Sequence, residues 1–361
     1  MKVYGCTSVS DFLDDRIVYR NLVPLDGRLP SLAELRPALG LDPAVTPRKS
    51  EPDYARVIVQ LLQRAQALDL PAGRLERLVY VGDTRLNDGT AFANICRAGG
   101  WPGLAFVAAE RDEPPQVDVV PEEGRQLFLA NRWAALAEFE TFCRQRAFAI
   151  DEATAVIVDL DKTALGARGR NDRVIDGARV AAVRQTVGHL LGDDFDEVAF
   201  RRAYDLLNRQ EFHPFTGDNQ DYLAYICLIL GSGLYALEPL VARVRAGGLA
   251  GFGAFIAETD AQAAGLPADL RDIHRGIYER VLAGDPTPFK AFRYNEYYAT
   301  VARMGCGGDD PDPVDLLASK IVVTQEVRAA AQRWRGQGAL LFGLSDKPDE
   351  ASIPSAALAA G

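Results

Sequence analysis

The sequence predicts an α/β protein: a Rossmann-like three-layer core around a parallel sheet, with an all-helical segment inserted into it. Three observations carry this. The apolar runs Leu78-Val79-Tyr80-Val81, Ala155-Val156-Ile157-Val158 and Leu340-Leu341-Phe342-Gly343-Leu344 lack polar alternation, as strands buried on both faces do. The segments before and between them carry apolar residues at helical spacing. From about 172 to 315 nearly every segment is helical in period and no convincing strand run occurs. A chain of 361 residues is long enough for two or three domains.

In chain order, Lys2 to Cys6 reads as a short strand. From Tyr54, the apolar series Val57, Ile58, Leu61, Leu62, Ala65 and Leu68 marks a helix that Pro71 and Gly73 stop. After the strand Leu78–Val81 comes a Gly-Asp turn, then a helix from about Gly89 to Ala98 ending at Gly99-Gly100. Leu104 to Val107 is a further strand. Glu110 to Gly124, rich in Pro and acid, reads as a linker. Residues 125–148 read as one helix with Trp133, Leu136, Phe139 and Phe142 on a face, leading into the strand before Asp159. Val323, Val327, Ala330, Ala331 and Trp334 mark another helix, closed by Gly336, before the strand ending at Ser345. The terminal SAALAAG is compositionally biased and is expected to fray. The expected organisation is two core halves, 1–124 and 316–361, a connecting helix at 125–150, a core strand at 151–171 and a helical domain at 172–315.

The net charge of −10, from 40 basic and 50 acidic residues, argues against nucleic acid or an anionic membrane as partner. Five dispersed cysteines without CxxC or metal-like spacing predict reduced thiols in a cytoplasmic protein. No signal peptide is visible. The longest uncharged run, Tyr222 to Leu237, is interrupted by two glycines and a serine, and is short of the roughly 20 apolar residues that span a bilayer.

Chemistry concentrates at strand ends. Asp159-Leu160-Asp161-Lys162-Thr163 directly follows one buried run, and two carboxylates so placed lie in the crevice where open α/β sheets take ligands. A second acidic pair, Asp83 and Asp88, follows another run in VGDTRLNDG. LLFGLSDKP, 340–348, is a strand ending in the hydroxyl of Ser345, and RKSEPD, 48–53, carries Lys49 one helix upstream of the Asp83 strand. Strand-DxDxT resembles motif I of the haloacid dehalogenase (HAD) superfamily of hydrolases. GDxxxxD resembles its motif IV, the 340–348 segment its motif II, and Lys49 its motif III lysine, with Lys347 as the rival. The order here is III, IV, I, II instead of I to IV. A circular permutation is therefore inferred, with 125–150 bridging the usual ends of the fold, since a sheet depends on which strands pair and not on where the chain is cut.

The resemblance implies a Mg²⁺-dependent phosphatase with a helical cap. Asp159 would be the nucleophile that forms an aspartyl-phosphate, and Asp161 the general acid and base. Thr163 would steady the loop, Ser345 would bond a phosphoryl oxygen, and Lys49 would offset charge. Asp83, with Asp88, would hold the ion together with Asp159 and the backbone carbonyl of Asp161. An aspartate at position 161 favours a phosphate ester over the dehalogenase and phosphonatase chemistries of the family, although phosphomutases keep it too.

Electrostatics independently asks for a cation. Two like charges about 4 Å apart repel by about 4 kcal/mol at an effective dielectric near 20. Several carboxylates and a phosphate exceed what one lysine balances, and Mg²⁺ suits an all-oxygen ligand set. The function that the resemblance implies is hydrolysis of a small phosphorylated metabolite. The alternatives are a phosphomutase and a non-catalytic binding protein that has kept the fold. The half-cores pair within one chain or, in a swapped homodimer, between two. His189, His213 and His274 and the aromatic run Phe289, Phe292, Tyr294, Tyr297 and Tyr298 read as structural. Arg168 and Arg170 follow motif I, in the region where the family has a mobile flap, and read equally as loop residues or as contacts for substrate anions.

Overall fold

A computed structural model describes residues 5–43, 45–122, 125–305 and 312–353. Its sheet has seven strands: β1 (Ile17–Val18), β2 (Arg77–Gly82), β3 (Gly103–Ala108), β4 (Val117–Glu122), β5 (Arg125–Ala130), β6 (Thr154–Asp159) and β7 (Leu340–Leu344). Their order across the sheet is β1-β7-β6-β2-β3-β5-β4, and every neighbouring pair is parallel except the β4–β5 hairpin. The chain is thus an α/β protein with a mostly parallel sheet.

The uninterrupted apolar runs become the central strands because both of their faces are covered. Alternate residues of a strand point to opposite faces. Leu78, Tyr80, Ala155, Ile157, Leu340 and Phe342 join a core with the helices Pro52–Asp69 and Thr90–Gly99 through Ile58, Leu62, Phe92 and Ile95. On the other face Phe106 and Phe128 lie 6.0 Å apart and meet Phe139 of the helix Leu136–Gln145 at 5.8 and 5.7 Å. Such offset and edge-on pairs add to the burial of large side chains.

Four elements differ from those the sequence predicts. The expected linker 110–124 contains β4, an exposed edge strand that tolerates Pro121 because one side needs no ladder. The expected helix 125–148 begins as β5, since Leu127-Phe128-Leu129 pairs with β3; only Leu136–Gln145 is α-helix, after a 3₁₀ turn at Trp133–Ala135. The short strand β1 beside β7 was not anticipated. Of the strand expected at Lys2–Cys6, Lys2 to Tyr4 lie outside the described residues, and Gly5 and Cys6 belong to no strand. The expected terminal fraying of SAALAAG also falls outside the described residues.

The described chain divides into two compact units, Met1–Gly177 with Val301–Asp349, and Ala178–Thr300 with Glu350–Gly361. Among its described residues the second unit's regular elements are all helices. Its centre is the helix Gln220–Gly231, where Leu223 to Ile229 are all buried. A helix apolar on every side is one enclosed by neighbours, and Tyr222 stacks on Phe252 at 3.8 Å. Phe289 and Phe292 belong to this core, while Tyr294 and Tyr298 are exposed. His274 is buried, its Nδ1 2.6 Å from the Tyr225 hydroxyl. No helix among the described residues is long and apolar enough to cross a membrane. Cys96, Cys143 and Cys227 are free and buried, but Cys6 is disulfide-bonded, which corrects the expectation of reduced thiols throughout.

Candidate functional site

The strand order brings the predicted residues together at the carboxyl ends of three adjacent strands. β6, which ends at Asp159, lies between β2, which leads into Asp83, and β7, which leads into Ser345. Both pairings are made within one chain. Asp83, Asp88 and Asp159 each present a carboxylate oxygen, and the three oxygens lie within 4.8 Å of one another.

Asp159 is fully buried. Its Oδ1 accepts from Lys49 Nζ at 2.5 Å, while its Oδ2 is buried without a hydrogen-bond partner. An unpaired buried carboxylate oxygen is costly, so a native one asks for a function or a bound partner. Lys49 Nζ also meets Asp88 Oδ1 at 2.8 Å and Asp346 Oδ1 at 3.3 Å. It stands just before the helix Pro52–Asp69, in a turn tied down by Asn94 Nδ2 donating to the Ser50 carbonyl at 3.0 Å. Lys347 is also buried, but the contact with Asp159 belongs to Lys49. Asp346, which directly follows Ser345, was missed by the sequence reading. An acid at the end of a parallel strand was the signal for it.

Asp88 sits in a π-helical turn, Arg85–Gly89, that runs into the helix Thr90–Gly99. Its Oδ2 accepts from Asp83 N at 3.0 Å, Thr84 N at 2.8 Å and Thr84 Oγ1 at 3.0 Å. Its Oδ1 accepts from Tyr80 OH at 3.1 Å and pairs with Lys49. Both oxygens are therefore committed, and Asp88 fixes the Asp83 backbone and Lys49. Gly82 makes this possible, because a Cβ there would lie 2.6 Å from Asp88 Cβ and Cγ. Gly82→Ala should therefore cost about 2 kcal/mol of stability, measurable by denaturant unfolding, and displace Asp88.

Asp161 faces the other neighbour of β6. Its Oδ2 accepts from Ser345 Oγ at 2.8 Å and Asp346 N at 2.9 Å. The Ser345 hydroxyl in turn accepts from Lys347 N at 3.1 Å. The Asp161 carboxylate is thus separate from the three-carboxylate cluster. Thr163 is buried, and its carbonyl accepts from Thr324 Oγ1 at 2.5 Å, closing the loop after Asp159 onto the chain before the helix Gln325–Gly336. In that loop Lys162 adopts φ 66°, a left-handed conformation uncommon outside glycine, and pairs with Asp176 at 2.8 Å. Arg168 forms an ion pair through Nε with Asp83 Oδ2, and Arg170 pairs with Glu110 at 3.0 Å and Glu326 at 2.9 Å.

These contacts push the carboxyls apart in acidity. Burial drives Asp159 well above the ordinary carboxylate range against the pull of Lys49. Burial also raises Asp83, to about 7, helped by the Asp88 charge and opposed by Arg168. For Asp88, burial works against ionisation, but Lys49 and the donors from Asp83 and Thr84 hold it well below its usual range. Burial alone would discharge Lys49, yet Asp159, Asp346 and Asp88 keep it an ammonium. Carboxyls driven in opposite directions within one crevice are typical of sites built for proton or group transfer.

The oxygen-only donor set fits a hard cation such as Mg²⁺. The Asp83 and Asp159 carboxylates are the groups that would hold it, with Asp88 behind them as an orienting group.

No family model, curated protein or solved structure matches this chain.

Proposed function

We propose that the chain is a Mg²⁺-dependent phosphatase of a small phosphorylated metabolite, of haloacid dehalogenase type and circularly permuted, with the helical unit as its cap. The observation that carries this reading is Asp159. One of its oxygens is held by a buried lysine and the other is buried and unbonded, beside two further carboxylates.

In this reading Asp159 Oδ2 attacks the phosphoryl group in line and forms an aspartyl-phosphate, and water then hydrolyses it. Lys49 opposes the protonation that burial favours at Asp159 and offsets charge on the transferred group. Asp161, held by Ser345 and the Asp346 amide, donates a proton to the leaving oxygen and later takes one from the attacking water. Ser345 serves first as the group that orients Asp161, which adds to the phosphoryl contact that the resemblance implied. A bound Mg²⁺ would supply charge neutralisation of the phosphoryl oxygens. Asp83 and Asp159 would hold it, and Asp88 would fix Asp83 through the backbone.

The test is hydrolysis of an aryl phosphate with Mg²⁺ and with a chelator. Turnover that requires the metal is expected, falling to background on chelation. Turnover of equal size in both conditions sinks the metal assignment. Exchange of a phosphoryl group between two positions of a sugar phosphate, with no net hydrolysis, would instead identify a mutase. Saturable binding of phosphate esters without either reaction would identify a binding protein.

A further inference from the structure

Arg168 stands beside the three carboxylates with no part in the steps above. Its backbone is fixed on three sides: its N donates to the Lys162 carbonyl at 2.7 Å, and its carbonyl accepts from Glu110 N at 2.9 Å and Trp133 Nε1 at 3.2 Å. Its side chain reaches Asp83 and pairs with it through Nε alone. Among the described residues its two terminal nitrogens bond nothing, and the side chain keeps 36% of its exposure. A guanidinium so placed is anchored at its root and free at its tip.

We propose that Arg168 is a substrate-anion ligand that competes with the divalent cation for Asp83, so that arrival of the cation releases the guanidinium to the phosphate. This rests on the phosphatase reading of the same site and adds to it a residue that couples the two ligands. A guanidinium and a dication that share one carboxylate repel each other, so each weakens the other's hold on Asp83. The oxygens of Asp83 and Asp159 lie within 4.8 Å of each other, so a guanidinium that lets go of Asp83 is one side-chain swing from a phosphate at Asp159. Its planar fork then matches two phosphate oxygens, a geometry lysine lacks. Mg²⁺ and phosphate should therefore bind with positive cooperativity, reciprocally.

Titration calorimetry tests this without turnover. The probes are Mg²⁺ alone, and inorganic phosphate with and without saturating Mg²⁺. Wild-type protein should bind phosphate more tightly when Mg²⁺ is present. Arg168→Gln should bind Mg²⁺ about tenfold more tightly and phosphate, in Mg²⁺, about tenfold more weakly, which uncouples the two ligands. Arg168→Lys should return Mg²⁺ affinity to the wild-type value while restoring phosphate binding only in part. Unchanged or weaker Mg²⁺ affinity in Arg168→Gln overturns the inference, as does unchanged phosphate affinity. Asp83→Asn is the control for the metal site and should abolish Mg²⁺ uptake. Wild-type protein that takes up no Mg²⁺ overturns both this inference and the phosphatase reading, whereas an unaffected Arg168→Gln overturns the inference alone.

Discussion

Asp159→Asn should lower aryl phosphate turnover by about 10³-fold or more while leaving the protein folded. The amide is isosteric but not nucleophilic, and removing a nucleophile forfeits the covalent route. The fold should survive because Lys49 keeps Asp88 at 2.8 Å and Asp346 at 3.3 Å as partners when the Asp159 charge is lost. The Asp159 carboxyl is also driven upward by burial, so its charged form is held in place at a cost that Asn does not carry. Turnover, thermal midpoint and circular dichroism measured together separate loss of chemistry from loss of structure. Activity retained within a fewfold in a folded variant removes Asp159 from its role.

Gly169→Ala should cost about 3–4 kcal/mol of stability. Gly169 has φ +77°, and a Cβ there would stand 1.9 Å from the Glu110 carbonyl oxygen. A left-handed alanine costs about 1–2 kcal/mol, and forcing two backbone segments apart adds roughly 1–3. The Glu110 backbone also holds Arg168, since Glu110 N donates to the Arg168 carbonyl at 2.9 Å. The substitution should therefore move Arg168 from Asp83 as well as weaken the fold. Urea unfolding gives the stability change, and a shift of less than about 1 kcal/mol would show that the two segments part more easily than their contact suggests.

Some of this was legible in the sequence, for identifiable physical reasons. β2, β6 and β7 announced themselves because a parallel strand buried on both faces must be apolar throughout, and the acids after β2 and at the end of β6 stand out against that background. The neighbourhood of Asp83, Asp159 and Ser345 was what the family resemblance implied once the motif order was taken as permuted, and all three stand at or just past strand ends. β4 was hidden because an edge strand needs neither apolar alternation nor every backbone donor, so Pro121 and the nearby acids read as loop. β5 was hidden because Leu127-Phe128-Leu129 runs without a break into the helical series of Trp133, Leu136, Phe139 and Phe142. β1 is two residues long, too short for any pattern to register. The committed state of Asp88, the ion pair of Arg168 and the contact of Asp346 with Lys49 are side-chain geometry. No periodicity encodes them.

The placement of β6 between β2 and β7 also bears on synthesis. A ribosome delivers β2 and β6 early, but the strand on the far side of β6 arrives only after the whole helical segment has been translated. Until then the nascent chain displays a greasy, unpaired backbone ladder at β6, open to mispairing with another copy. Closing that gap joins residues far apart in sequence, which slows folding. Chaperone demand during translation should therefore peak before β7 emerges and fall once it docks.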